Sequence, residues 1–184
     1  VDTFSAQSPA LILQLSDLLS YILYEKDESW VPLQKEFDIV HSYINLEEKS
    51  FKNSVIFKVK FPEVTKSKFI VPFLLLSIVE SCFEYFLNTG QHQPILTLIC
   101  ELNENVLHFR IKFSKGQSII AQKDIDDIFI NVQKQLHTQY PGVHYWEAAE
   151  DMETIAINLK LPLYQHYVIS TKKSEAINVL SKSL

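Results

Sequence analysis

The chain has 184 residues, of which 47% are apolar and 12% aromatic, a composition that excludes disorder and suffices for one sizeable core. Its net charge of -5 arises from 17 basic and 22 acidic residues interspersed along the chain, so no basic stripe exists and nucleic acid is excluded as a partner. No apolar run approaches the roughly 20 residues that cross a bilayer, and the first residues lack a signal peptide's basic-then-apolar order. The chain opens in mid-pattern without a methionine, which fits a soluble piece of a longer protein whose membrane part lies elsewhere. Two cysteines, Cys82 and Cys100, are too few for a disulfide framework; they read as buried small hydrophobes in a reducing compartment. The three glycines, Gly90, Gly116 and Gly142, are isolated, whereas loops that cradle phosphates need glycine for close backbone approach.

In chain order, Ser8 caps and Pro9 opens a first amphipathic helix, with Leu11, Leu15, Leu18, Leu19 and Ile22 at helical spacing. A polar break at residues 25–29 leads to a second helix beginning at Val31-Pro32-Leu33, with Phe37, Val40, Ile44 and Phe51 on one face. Residues 54–61 alternate as a half-buried strand that Pro62 ends. Pro72 opens a helix over 72–88 that is apolar all round and therefore buried. Residues 94–101 and 106–113 form a hairpin about the turn Leu102-Asn103-Glu104-Asn105. A helix over 123–139 carries Ile125, Ile128, Phe129, Val132 and Leu136 on one stripe and stops at Tyr140-Pro141-Gly142. A second hairpin joins 144–149 to 154–161 through residues 150–153, and a tail after Pro162 contains a short helix around 174–180. This order predicts an α/β fold: a two-layer sandwich with helices on one face of a mixed sheet of about five strands, preceded by the first helix.

Five blocks carry a resemblance: LQLSDLLSYILYE, VPLQKEFDIVHSYINLEEKSF, IVPFLLLSIVES, VLHFRIKFSKG and INVQKQLHTQYPGVH. Together they span roughly residues 10–163, and their order and spacing resemble the LytS-type sensor histidine kinases. The resemblance implies that residues 1–30 form the second helix of a dimerisation and phosphotransfer hairpin, present in part. Residues 31–163 would be a Bergerat-type (GHKL) ATP-binding-like domain, and 164–184 a C-terminal tail. It further implies the C-terminal, cytoplasmic portion of a bacterial two-component sensor whose parent is anchored at the inner membrane. The family's phosphoacceptor histidine precedes the first block; His41 lies on a different element and reads as a surface or interface histidine. His92, His108, His137, His144 and His166 show no metal-ligand spacing, so no metal site is expected.

The family's nucleotide site departs from its pattern at several positions. Glu80 stands where the family has its helix acid, a vestige of the catalytic machinery. Ser81 replaces the magnesium-binding asparagine, and its short arm weakens metal ligation. Glu84, Tyr85 and Phe86 replace the lysine, histidine and glycine that follow, and Ser50 replaces an arginine. Phe113 stands where a polar residue faces the adenine, ending the strand series Leu107, Phe109, Ile111. Asp126 and Ile128 replace two phosphate-loop glycines, with Asn131 and Val132 keeping the family's register, and Asp126 and Asp127 place negative charge where phosphates would lie. The expectation is a pseudokinase without ATP or magnesium, forming a homodimer through the apolar face of Leu11 to Ile22 and contacting a response regulator or partner kinase. Two other readings stay open: an active kinase that phosphorylates a histidine upstream, supported by Glu80, and a scaffold domain binding another ligand. The stripe on the first helix packs either on a second copy or on its own domain.

Overall fold

The computed structural model describes residues 8–50, 55–63, 68–89, 94–115 and 125–165. Alternation builds its sheet: in β5 (Val106–Ser114) the side chains of Leu107, Phe109, Ile111 and Phe113 are buried, while Arg110 and Lys112 are exposed. Its neighbours β4 (Ile95–Asn103) and β7 (Thr154–Pro162) repeat the pattern with Leu96, Leu98 and Cys100, and with Ile155, Ile157, Leu159 and Leu161. The edges are β2 (Ile56–Lys60) and β6 (Tyr145–Glu150), giving the order β2-β4-β5-β7-β6. Among the described strands only the β2–β4 pairing is parallel, which requires a crossover, and helix α3 (Leu74–Thr89) lies within it. Register sets Leu98 opposite Ile111, Ile111 opposite Ile157, and Ile157 opposite Ala148, so one apolar row crosses the sheet.

Helices cover that face. Helix α2 (Leu33–Ser50) buries Leu33, Phe37, Val40 and Ile44, and Phe37 stacks on Phe61 with ring centroids 4.5 Å apart. Helix α3 buries Leu74, Leu75, Ile78, Val79, Cys82 and Phe83, and α5 (Ile130–Gln139) adds Val132 and Leu136. The architecture is the α/β sandwich with a mixed five-stranded sheet expected from the sequence, and both cysteines are free and buried as read.

Three boundaries differ from the sequence reading. Val31 and Pro32 form a strand, β1 (Val31–Pro32), paired antiparallel with β3 (Phe69–Ile70), and α2 begins only at Leu33. The residue before proline is disfavoured in the helical region, so Val31 extends and pairs with a partner far along the chain. Pro72 likewise precedes α3 rather than starting it, because Phe73 after it has φ 64°, outside the helical region. The helix expected over 123–139 is broken at Phe129 into α4 (Ile125–Ile128) and α5; the wholly buried Phe129 ring holds a non-helical backbone, φ -108° and ψ 16°. The expected contribution of Phe51 and the short helix around 174–180 lie outside the described residues.

Helix α1 (Ser8–Glu25) rests on α2 through Leu18 and Tyr21, which pack against Ile39. Other apolar side chains of α1 are uncovered: Ile12 and Leu13 are each 67% exposed, Leu15 48% and Leu19 51%. No described helix is long and apolar enough to cross a membrane.

Candidate functional site

Helix α3 holds the centre of the candidate site, and adjacent residues on it point about 100° apart. Glu80 is exposed and lines a groove of about 530 Å³ between α1, α2 and α3, together with Leu15, Leu18, Tyr43, Phe73 and Leu76. Partial burial pushes its carboxyl above the ordinary range, and the nearby Glu84 and Glu47 add to the shift. Ser81, one residue on, is half-buried and donates its hydroxyl to the Ser77 carbonyl oxygen at 2.9 Å, so its one polar group is engaged by its own helix.

On the sheet side the positions are occupied by rings. Phe113 is 1% exposed, with Tyr85 of α3 at 5.6 Å and Phe129 at 6.3 Å between ring centroids. Phe129 in turn meets Trp146 of β6 edge-to-face at 5.5 Å. The file Tyr85, Phe113, Phe129, Trp146 thus runs from α3 across the sheet face, drawing one ring from each of four segments. Phe129 enters the file because α4 stops before it, and the break in the predicted helix is therefore part of the site.

The remaining expected positions are dispersed. Asp126 and Asp127 are exposed on α4, Asp126 accepting a bond from Gln133 Nε2 at 3.1 Å; Ile128 is half-buried against the core, and Asn131 is exposed on α5. Glu84 is exposed, Ser50 bonds the Leu46 carbonyl oxygen, and the side chain of Phe86 lies outside the described residues. His41 is exposed beside Asn45. His137 and His144, without paired spacing in sequence, meet edge-to-face at 5.2 Å, yet no group of three or more His, Cys, Asp or Glu among the described residues could hold a metal ion.

The polar centre of this region went unread in the sequence. Glu36 is wholly buried and accepts from the backbone amides of Phe73, Leu75 and Leu76 at 3.1, 2.9 and 3.2 Å, and from the Tyr21 hydroxyl. A helix leaves its first amides unpaired, and the residue before α3 is phenylalanine, which cannot cap; Glu36 supplies the cap from another helix and suits the helix's positive end. Burial pushes its carboxyl upward, against the pull of Tyr21 and the three amides. Phe73 has φ 64°, a left-handed conformation that costs a bulky residue roughly 1–2 kcal/mol. The signal in the sequence was an acid set among Leu33, Phe37 and Val40 on an otherwise apolar helix face.

Comparison with known proteins bears on the fold. The chain superposes on the catalytic domain of histidine kinase ThkA in a nucleotide-free form, with TM-score 0.51, 11% identity, and coverage of 72% of this chain and 95% of that one. It also superposes on the Erythrobacter litoralis EL346 blue-light activated histidine kinase, with TM-score 0.51, 15% identity, and coverage of 86% and 49%. The fold is that of histidine kinase catalytic domains. A histidine kinase family model matches residues 3–55, and the Sensor protein LytS of Bacillus cereus is 29% identical over 119 residues, 61% of this chain and 19% of the relative. The Bacillus anthracis Sensor protein LytS matches equally, so the chain spans about a fifth of the length of these relatives. In sequence the chain is similar to the LytS-type sensor histidine kinases over part of its length.

Proposed function

We propose that the chain is the pseudokinase module of a two-component sensor: a kinase fold that binds neither ATP nor magnesium and acts through helix pairing and protein contacts. The observation that carries this reading is Phe113, buried between Tyr85 and Phe129 at the position from which the family's polar residue would face adenine. An apolar ring offers adenine no hydrogen bond, and a buried phenylalanine contributes about 2 kcal/mol that opening the slot would forfeit. Ser81 supports the same reading, since its hydroxyl is held by Ser77, and the exposed Asp126 and Asp127 repel a triphosphate. These residues do not fit a magnesium nucleotide.

Pairing would use the uncovered face of α1. Leu15, Leu19 and Ile22 are about half exposed, while Leu18 is buried on the chain's own α2, which favours a second copy as the cover. Response regulators or partner kinases are the further partners the family implies. Isothermal titration with ATP and magnesium tests the reading: no saturable heat is expected up to millimolar nucleotide, and sub-millimolar binding that Glu80→Gln abolishes overturns it. Such binding would establish the second reading, an active kinase with an altered pocket, which the retained and exposed Glu80 favours.

A further inference from the structure

Glu36 touches three elements at once. Its own helix is α2, its carboxylate caps α3, and the hydroxyl it accepts from belongs to Tyr21 of α1. Tyr21 also meets the Phe73 ring edge-to-face at 4.9 Å, so α1 is linked to the start of α3 directly through carbon and indirectly through the Glu36 carboxylate. Phe73 itself holds a backbone conformation that L-residues of its bulk rarely adopt, and its amide is bonded to the same Glu36 oxygen that Tyr21 bonds. Two anchors from another element hold the far side of this turn: Tyr140 Oη accepts from the Val71 amide at 3.1 Å, and Gln135 Nε2 donates to the Pro72 carbonyl oxygen at 3.1 Å. The turn is therefore fixed toward α5 and sprung toward α1.

We propose that Tyr21, Glu36 and Phe73 form a latch that transmits the seating of α1 to the first turn of α3. With α1 seated, the Tyr21 hydroxyl completes the set of donors on the buried carboxylate and its ring braces Phe73. When α1 lifts, Glu36 loses its only side-chain donor among the bonds described, Phe73 loses its brace, and the left-handed turn is released to relax. The groove beside Phe73 gives the space for this, since Leu15, Leu18, Leu76 and Ser77 line it with Glu80 at its end. Glu80 and Ser81 ride one to two turns downstream on the same helix, so the candidate site is reached through a rigid element. The latch does not depend on whether a nucleotide binds.

Amide hydrogen exchange measured by NMR on the full chain tests it. Tyr21→Phe removes one oxygen atom and keeps the ring; the Leu75 and Leu76 amides should then exchange about tenfold faster, while Phe109 and Leu159 in the sheet stay unchanged. Leu18→Ala, which unseats α1 without touching Glu36, should reproduce the same footprint. Glu36→Gln, if it folds, marks the amides that depend on the carboxylate. Faster exchange confined to α1 in both α1 variants, with the α3 amides at their wild-type rates, overturns the latch and leaves Glu36 as a static cap.

Discussion

The two sides of helix α3 have been built by opposite rules. Toward the sheet, Tyr85 meets Phe113 and, through it, Phe129 and Trp146, and the space is closed with carbon. Toward α1 and α2, Glu80 faces an open groove, with Glu47 and Glu84 close enough to raise its pKa and a buried carboxylate, Glu36, at the helix start. Carbon thus closes one side of the helix, while carboxylates gather on the side where helices meet. Under the proposed reading, one face of α3 has given up nucleotide chemistry while the other serves contacts between helices.

The closed side breaks most visibly. Phe113→Ala should cost about 3–5 kcal/mol, read by chemical or thermal unfolding, because the ring is fully buried and its neighbours are rings that cannot collapse into the gap. A cost under 1 kcal/mol would show the slot to be loosely filled. Next in size is assembly: Leu15→Glu places a charge on the uncovered stripe and should weaken self-association about 30-fold in sedimentation, with little change in monomer stability because Leu15 is half exposed. Equal masses for both proteins would remove the dimer from the account.

The open side predicts a pH effect. Glu80 has a raised pKa when folded, so the native state binds its proton more tightly than the unfolded chain does, and stability falls as pH rises from the ordinary value of 4.5 through the folded pKa. Glu80→Gln removes that loss. Its stability should equal wild type below pH 4.5 and exceed it slightly at pH 7, by denaturant titration; a variant less stable at pH 7 would mean that the charge is paired there. The smallest effect is Ser81→Asn, expected within about 0.5 kcal/mol of wild type in stability and without gain in ATP affinity, since Phe113 still holds the slot. A gain in affinity would locate the defect in metal ligation alone.

Much of the frame was legible because it is written in local periods. The alternation of Leu107, Phe109, Ile111 and Phe113 fixes β5 and its buried face, and Leu102-Asn103-Glu104-Asn105 marks the hairpin, although β4 runs on to Asn103 and leaves only Glu104-Asn105 in the turn. The stripe of α1 was equally plain, and its Leu18 packs with Tyr21 against the chain's own Ile39. What escaped was nonlocal. Val31–Pro32 became a strand through Phe69–Ile70, more than thirty residues away in sequence, and Phe129 left its helix to reach Phe113 and Trp146. Glu36 was passed over because its partners, the amides of Phe73, Leu75 and Leu76, gather only when α2 lies across the start of α3. At the candidate site the sequence marked Ser81 and Phe113 as substitutions; their surroundings, a carbonyl for one and two rings for the other, required the fold.

The most direct measurement is an NMR titration of the chain with ATP and magnesium, following the ring resonances of Tyr85, Phe113 and Phe129. The account predicts that these resonances hold their positions up to millimolar nucleotide. Saturable shifts confined to the three rings would mean that adenine enters the slot, and would contradict it.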